Sequence, residues 1–125
     1  MSDKTSLIVD DDPLVRRFIK AVLERDGYQV TEAKDGLDAL DTLRTLSGAV
    51  DVLVSDIKMP HLDGLALAGF VRAEFPAIAI LLISGYGALD RQPGFDILQK
   101  PFLPSALVSA VNLIVHPRAK VASAQ

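Results

Sequence analysis

The sequence predicts an α/β fold, a doubly wound parallel sheet with helices packed on both faces. Three observations lead there. Short apolar runs at 5–9, 50–55 and 78–83 alternate along the chain with stretches whose apolar residues recur every three or four positions, the periodicity of helices. The run at 78–83 is hydrophobic without interruption, as expected of a strand covered on both faces. Capping and breaking residues, among them Asp12-Pro13, Gly27, Asp35, Asp63 and Pro76, fall between the two kinds of segment. Strands alternating with helices make βαβ units, whose right-handed crossovers produce such a sheet.

The first strand spans 5–9 and runs into Asp10-Asp11-Asp12-Pro13, where Asp12 suits an N-cap and Pro13 the first helical position. Leu14, Val15, Phe18, Ile19, Val22 and Leu23 form the stripe of the first helix, which Gly27 stops. A weakly alternating strand at 28–32 suits a sheet edge. Asp35 caps a second helix with Leu37, Leu40, Leu43 and Leu46 as its stripe, and Ser47-Gly48 ends it. The third strand leads to Asp56, after which Met59-Pro60 forbids direct entry into a helix. Asp63 caps a helix at 64–75 with Leu67, Val71 and Phe75 on one face, and Pro76 terminates it. Ser84 follows the fourth strand. Only fifteen residues separate it from Lys100, so the helix between the fourth and fifth strands is expected to be shortened or irregular. A last strand at 95–99 precedes Lys100-Pro101-Phe102, and Pro104 opens a final helix to about 115. The domain is expected to occupy 1–116, with 117–125 a disordered tail.

At 125 residues the chain suits one domain with a real core. A net charge of −3 argues against a basic nucleic-acid surface. Its longest apolar runs are strand-sized, too short for a membrane span, and there is no leader-like opening segment. Without cysteine there is no disulfide or thiolate chemistry. A cytoplasmic protein without nucleic-acid or membrane partners is the expectation.

In an open parallel sheet, ligands gather beyond the carboxyl ends of the strands. Asp10, Asp11, Asp56, Ser84 and Lys100 all stand at such ends. Taken singly, each has an ordinary explanation as a cap, turn or solvated residue. Their recurrence at successive strand ends of one sheet does not. Three neighbouring carboxylates repel unless a counter-charge joins them, and a hard divalent cation such as Mg²⁺ supplies it. Lys100 brings an ammonium suited to a phosphoryl oxygen, and Ser84 a hydroxyl donor. The set suits a carboxylate nucleophile that accepts a phosphoryl group.

In this order, Asp10-Asp11, Asp56, Ser84 and Lys100-Pro101-Phe102 resemble the receiver domain of bacterial two-component response regulators, over residues 5–116. The resemblance implies a flavodoxin-like five-stranded sheet of order 2-1-3-4-5. It also implies that Asp56 is the phosphoacceptor and that Asp10, Asp11, Asp56 and the backbone carbonyl of Lys58 hold Mg²⁺. Ser84 then follows the phosphate, with Gly85 the small residue beside it. Lys100 pairs with the phosphate, and the bond before Pro101 is cis. The implied partner is a histidine kinase or phosphotransfer protein. Such a module is not an enzyme, although it assists its own phosphorylation and dephosphorylation. Receivers often carry an aromatic ring three residues before the lysine, where this chain has Ile97. The short Ser-Gly-Tyr form with Leu98-Gln99-Lys100-Pro101-Phe102 is similar to receivers of hybrid sensor kinases.

Two other functions compete. A phosphatase of the haloacid dehalogenase type also uses an Asp nucleophile after a strand, but usually carries a second Asp two residues later, where this chain has Lys58. A phosphorylation-independent interaction module would keep the repelling carboxylates at a cost and without use. No Gly-x-Gly-x-x-Gly follows the first strand, which disfavours dinucleotide binding. The final helix is expected to bury Leu107, Ala110, Val111 and Ile114. Val108 and Val115 on one flank, with Ala106 and Leu113 on the other, would then serve a homodimer or another partner.

Overall fold

Nine elements follow one another in a computed structural model that describes residues 4–85 and 94–116. They are β1 (Thr5–Val9), α1 (Pro13–Arg25), β2 (Gln29–Ala33), α2 (Gly36–Thr45), β3 (Val52–Asp56), α3 (Gly64–Glu74), β4 (Ala79–Ser84), β5 (Asp96–Gln99) and α4 (Pro104–Val115). All five strands are parallel, in the order β2-β1-β3-β4-β5. This is the predicted topology. The expected irregular helix between β4 and β5 falls on 86–93, and the expected tail on 117–125; both lie outside the described residues.

Three helix starts are made by the aspartates that the sequence marks. Asp12 Oδ1 accepts from the Leu14 amide at 2.9 Å, Asp35 Oδ1 from Asp38 at 2.9 Å, and Asp63 Oδ1 from Ala66 at 2.8 Å. Each satisfies an amide that the first helical turn leaves unpaired. α4 has no side-chain cap and starts with Pro104. Gly27 turns the chain out of α1 at φ 96°, a left-handed conformation that suits glycine.

Strand alternation divides the core between the two faces of the sheet. Leu7, Val9, Leu53, Ile80 and Leu82 pack with α2 and α3, through Leu40, Leu43, Leu67 and Val71. Ile8, Val52, Val54, Leu81 and Ile83 pack with α1 and α4, through Ile19, Leu23, Leu107 and Val111. Leu107, Val111, Ala110 and Ile114 thus face inward as expected. Other stripes are narrower than their sequence periodicity. Leu14 is 72% exposed, Phe18, Leu37 and Leu46 are exposed as well, and α2 buries Gly36 and Ala39 beside Leu40 and Leu43. Among the described residues, no helix is long and apolar enough to cross a membrane.

Candidate functional site

Parallel strands bring their carboxyl ends to one edge, and there the polar residues converge. Asp56 and Ser84 are the last residues of β3 and β4, Asp10 and Asp11 follow β1, and Lys100 follows β5. One carboxylate oxygen from each of Asp10, Asp11 and Asp56 lies within 4.8 Å of the other two. Lys100 Nζ stands 3.6 Å from Asp56 Oδ1 and 4.0 Å from Asp10 Oδ2. The Lys100 amide donates to the Ser84 carbonyl at 2.8 Å, tying β4 and β5 together at the site, and the Lys100–Pro101 peptide is cis. Ser84 is buried, whereas the Lys58 side chain is exposed on the loop after β3. Ile97 sits half-buried in β5, paired with Leu82 and packed on the α2–α3 side of the core.

Asp10 is the most constrained of the acids. Its Oδ1 accepts the Asp12 amide at 2.9 Å, while Oδ2 is buried without a hydrogen-bond partner among the described residues. Burial pushes its carboxyl up from the ordinary value near 3.8 to about 6; the charges of Asp56 and Asp11 add to the rise, against the Asp12 amide and Lys100. Burial also raises Asp56, chiefly opposed by the Lys100 ammonium. One ammonium cannot balance three carboxylates. A buried carboxylate oxygen without a donor, beside two more oxygen ligands, fits a hard divalent cation such as Mg²⁺.

Three further residues shape the site without having stood out in the sequence. Gly64 packs so closely under the end of β3 that a Cβ there would collide with the Asp56 carbonyl, and its amide donates to Ile57 O at 2.7 Å. A glycine directly after the Asp63 cap is its visible trace, because helix starts rarely require one. Ser55 is fully buried, and its hydroxyl donates to the Asp56 carbonyl at 2.9 Å. Arg16 reaches from α1 to the Asp10 carbonyl at 2.7 Å. Nothing in the sequence distinguishes it from the solvated arginine beside it.

Comparison with known proteins follows the same lines. The family model of the response regulator receiver domain matches residues 6–112. The chain is 36% identical over 114 residues to the sensor kinase CckA of Brucella abortus (strain 2308), covering 86% of this chain and 12% of that protein. It is 37% identical over 111 residues to the DNA-binding transcriptional regulator NtrC of Klebsiella pneumoniae, covering 84% of this chain and 23% of that one. Among solved structures, the receiver domain of the hybrid histidine kinase CckA superposes with a TM-score of 0.78 at 32% identity, covering 89% of this chain and 98% of that domain. The chain spans between 12% and 51% of the length of the first curated relatives it matches.

Proposed function

The chain belongs to the response regulator receiver domain family of two-component systems, and from that premise we propose that it is a phosphoacceptor switch working through Asp56. The observation that carries this reading is Asp56 at the end of β3, flanked by two further carboxylates and the Lys100 ammonium. A histidine kinase or phosphotransfer protein presents a phosphohistidine. An Asp56 carboxylate oxygen attacks the phosphorus, the P–N bond breaks, and the imidazole leaves with the bonding pair and takes up a proton. The product is an acyl phosphate on Asp56. Asp10, Asp11, Asp56 and the Lys58 carbonyl would hold Mg²⁺, which when bound supplies positive charge against the phosphoryl oxygens. Lys100 supplies the second positive charge, and Ser84 a hydroxyl for a phosphoryl oxygen.

The phosphoryl group then biases a two-state element and so changes the affinity of a partner. The outer flank of α4, where Leu113 is 52% exposed, is the surface we assign to a second copy or another partner. The module itself turns over no phosphate ester, because Lys58 stands where a haloacid dehalogenase-type phosphatase would need its acid.

Incubation with acetyl phosphate and Mg²⁺ tests the assignment by intact mass. One phosphoryl group should add to the wild type, and none to Asp56→Asn or to wild type in chelator. Equal labelling of the Asn variant would sink it.

A further inference from the structure

Resting on the phosphoacceptor reading for its purpose, we propose that Arg16 is a positioning residue that orients the Asp10–Asp11 peptide so that the acidic site can hold its cation. Arg16 lies in the second turn of α1 with its side chain 19% exposed. Its Nη1 donates to the Asp10 carbonyl at 2.7 Å, and its Nε donates to Glu32 Oε1 on β2 at 3.0 Å. The Asp10 amide in turn donates to the Ala33 carbonyl at 3.3 Å. The residue between the first strand and the acidic loop is therefore tied to β2 through its amide and to α1 through its carbonyl. A peptide unit is planar, so holding the Asp10 carbonyl also sets the direction of the Asp11 N–Cα bond and with it the position of the Asp11 Cα from which that side chain projects.

Arginine suits this task because its guanidinium is a rigid plane of donors. The bond to Glu32 sets the orientation of that plane, and Nη1 then meets Asp10 from a defined direction. A lysine in its place would keep the charge without the second fixed donor. Charge alone does not explain Arg16, since a cation beside a metal site repels the metal. Electrostatics therefore predicts tighter Mg²⁺ binding when Arg16 is removed, and positioning predicts weaker binding. The signs are opposite.

The experiment titrates isotope-labelled protein with MgCl₂ in the absence of any phosphodonor, following amide shifts, with a thermal melt of each variant. Arg16→Ala should weaken Mg²⁺ binding about tenfold, the scale seen when groups that orient metal ligands are removed. Arg16→Lys should recover only part of the loss. With acetyl phosphate, the defect should appear in the Mg²⁺ concentration for half-maximal labelling and vanish at saturating Mg²⁺. Glu32→Gln and Glu32→Ala remove the same charge, but only Ala loses the acceptor for Arg16, so Ala should bind Mg²⁺ more weakly than Gln.

A folded Arg16→Ala protein that binds Mg²⁺ as tightly as wild type, or more tightly, overturns the role. If the Arg16 variants unfold, the Glu32 pair decides, and equal affinities for Gln and Ala overturn it. If Arg16→Ala loses Mg²⁺ affinity while wild type never labels on Asp56, the positioning role stands and the phosphoacceptor reading falls.

Discussion

Asp10 illustrates how a single residue can be kept at the expense of the fold. Its carboxyl is buried, half-satisfied and raised to about 6 from an ordinary value near 3.8. The folded chain therefore binds this proton more tightly than the unfolded chain does. Between about pH 4 and pH 6 the native state holds the extra proton, so stability falls as pH rises through that window and is flat above it. A tenfold change in acidity is worth about 1.4 kcal/mol, which puts the full cost near 3 kcal/mol. Asp10→Asn should accordingly stabilise the metal-free protein by about 1–3 kcal/mol at pH 7, with the gain shrinking toward pH 4. Urea titrations of both proteins at pH 4.5 and 7 measure this. A destabilised variant at pH 7 would mean that the carboxylate is structurally required.

At the scale of elements, the decisive contact is between the end of β3 and the start of α3. Gly64 abuts the Asp56 carbonyl, and the Ser55 hydroxyl donates to that same carbonyl. The Ile57 carbonyl accepts the Gly64 amide, while the Ile57 amide donates to Ile83 on β4. The backbone on either side of the Asp56 side chain is thus held against its neighbours. Gly64→Ala forces backbone against backbone, where no side chain can swing aside, and overpacking of this kind costs about 1–3 kcal/mol. We expect that loss in denaturant unfolding, together with slower Asp56 labelling by acetyl phosphate. A variant with normal stability and normal labelling would show that the loop gives way freely.

For the whole molecule, a pair of helices packs on each face of the sheet. α1 and α4 share one face, and between them runs a groove of about 460 Å³ lined by Phe18, Ala21, Val22, Arg25, Asp26, Pro104, Ser105 and Val108. Val108, expected on a free flank of α4, is half-buried and lines this groove, whereas Leu113 on the opposite flank is exposed. Tyr28 and Asp26 anchor the far end of the helix through Asn112, at 3.1 and 3.2 Å. Leu113→Glu is therefore the clean probe of self-association, because it places a charge in the proposed interface without entering the core. Sedimentation with Mg²⁺ and beryllofluoride should show wild type associating and Leu113→Glu remaining monomeric, with equal melting temperatures in the absence of ligand. A wild type that stays monomeric removes the second copy as the partner.

By itself the sequence determined the order and type of the nine described elements, the three aspartate caps and the polar residues at the strand ends. The elements and caps follow from local chemistry, hydrophobic period and side-chain acceptors for open amides, and the polar residues stand out because they end successive strands. The exposure of Leu14, Phe18, Leu37 and Leu46 was decided only by the tertiary structure. A helical period says which residues share a face, but the width of the buried arc depends on how the helix lies on the sheet. The different burial of Val108 and Leu113 was settled the same way, by α4 lying beside α1 so that Val108 lines the groove between them while Leu113 faces away. Arg16 and Gly64 belong to the same class. Arg16 acquires its place only when β2 brings Glu32, sixteen residues away, beside the end of β1, and Gly64 only when α3 docks under Asp56. Contacts between segments distant in sequence leave little trace in either segment alone, because packing geometry decides them after the local elements are set.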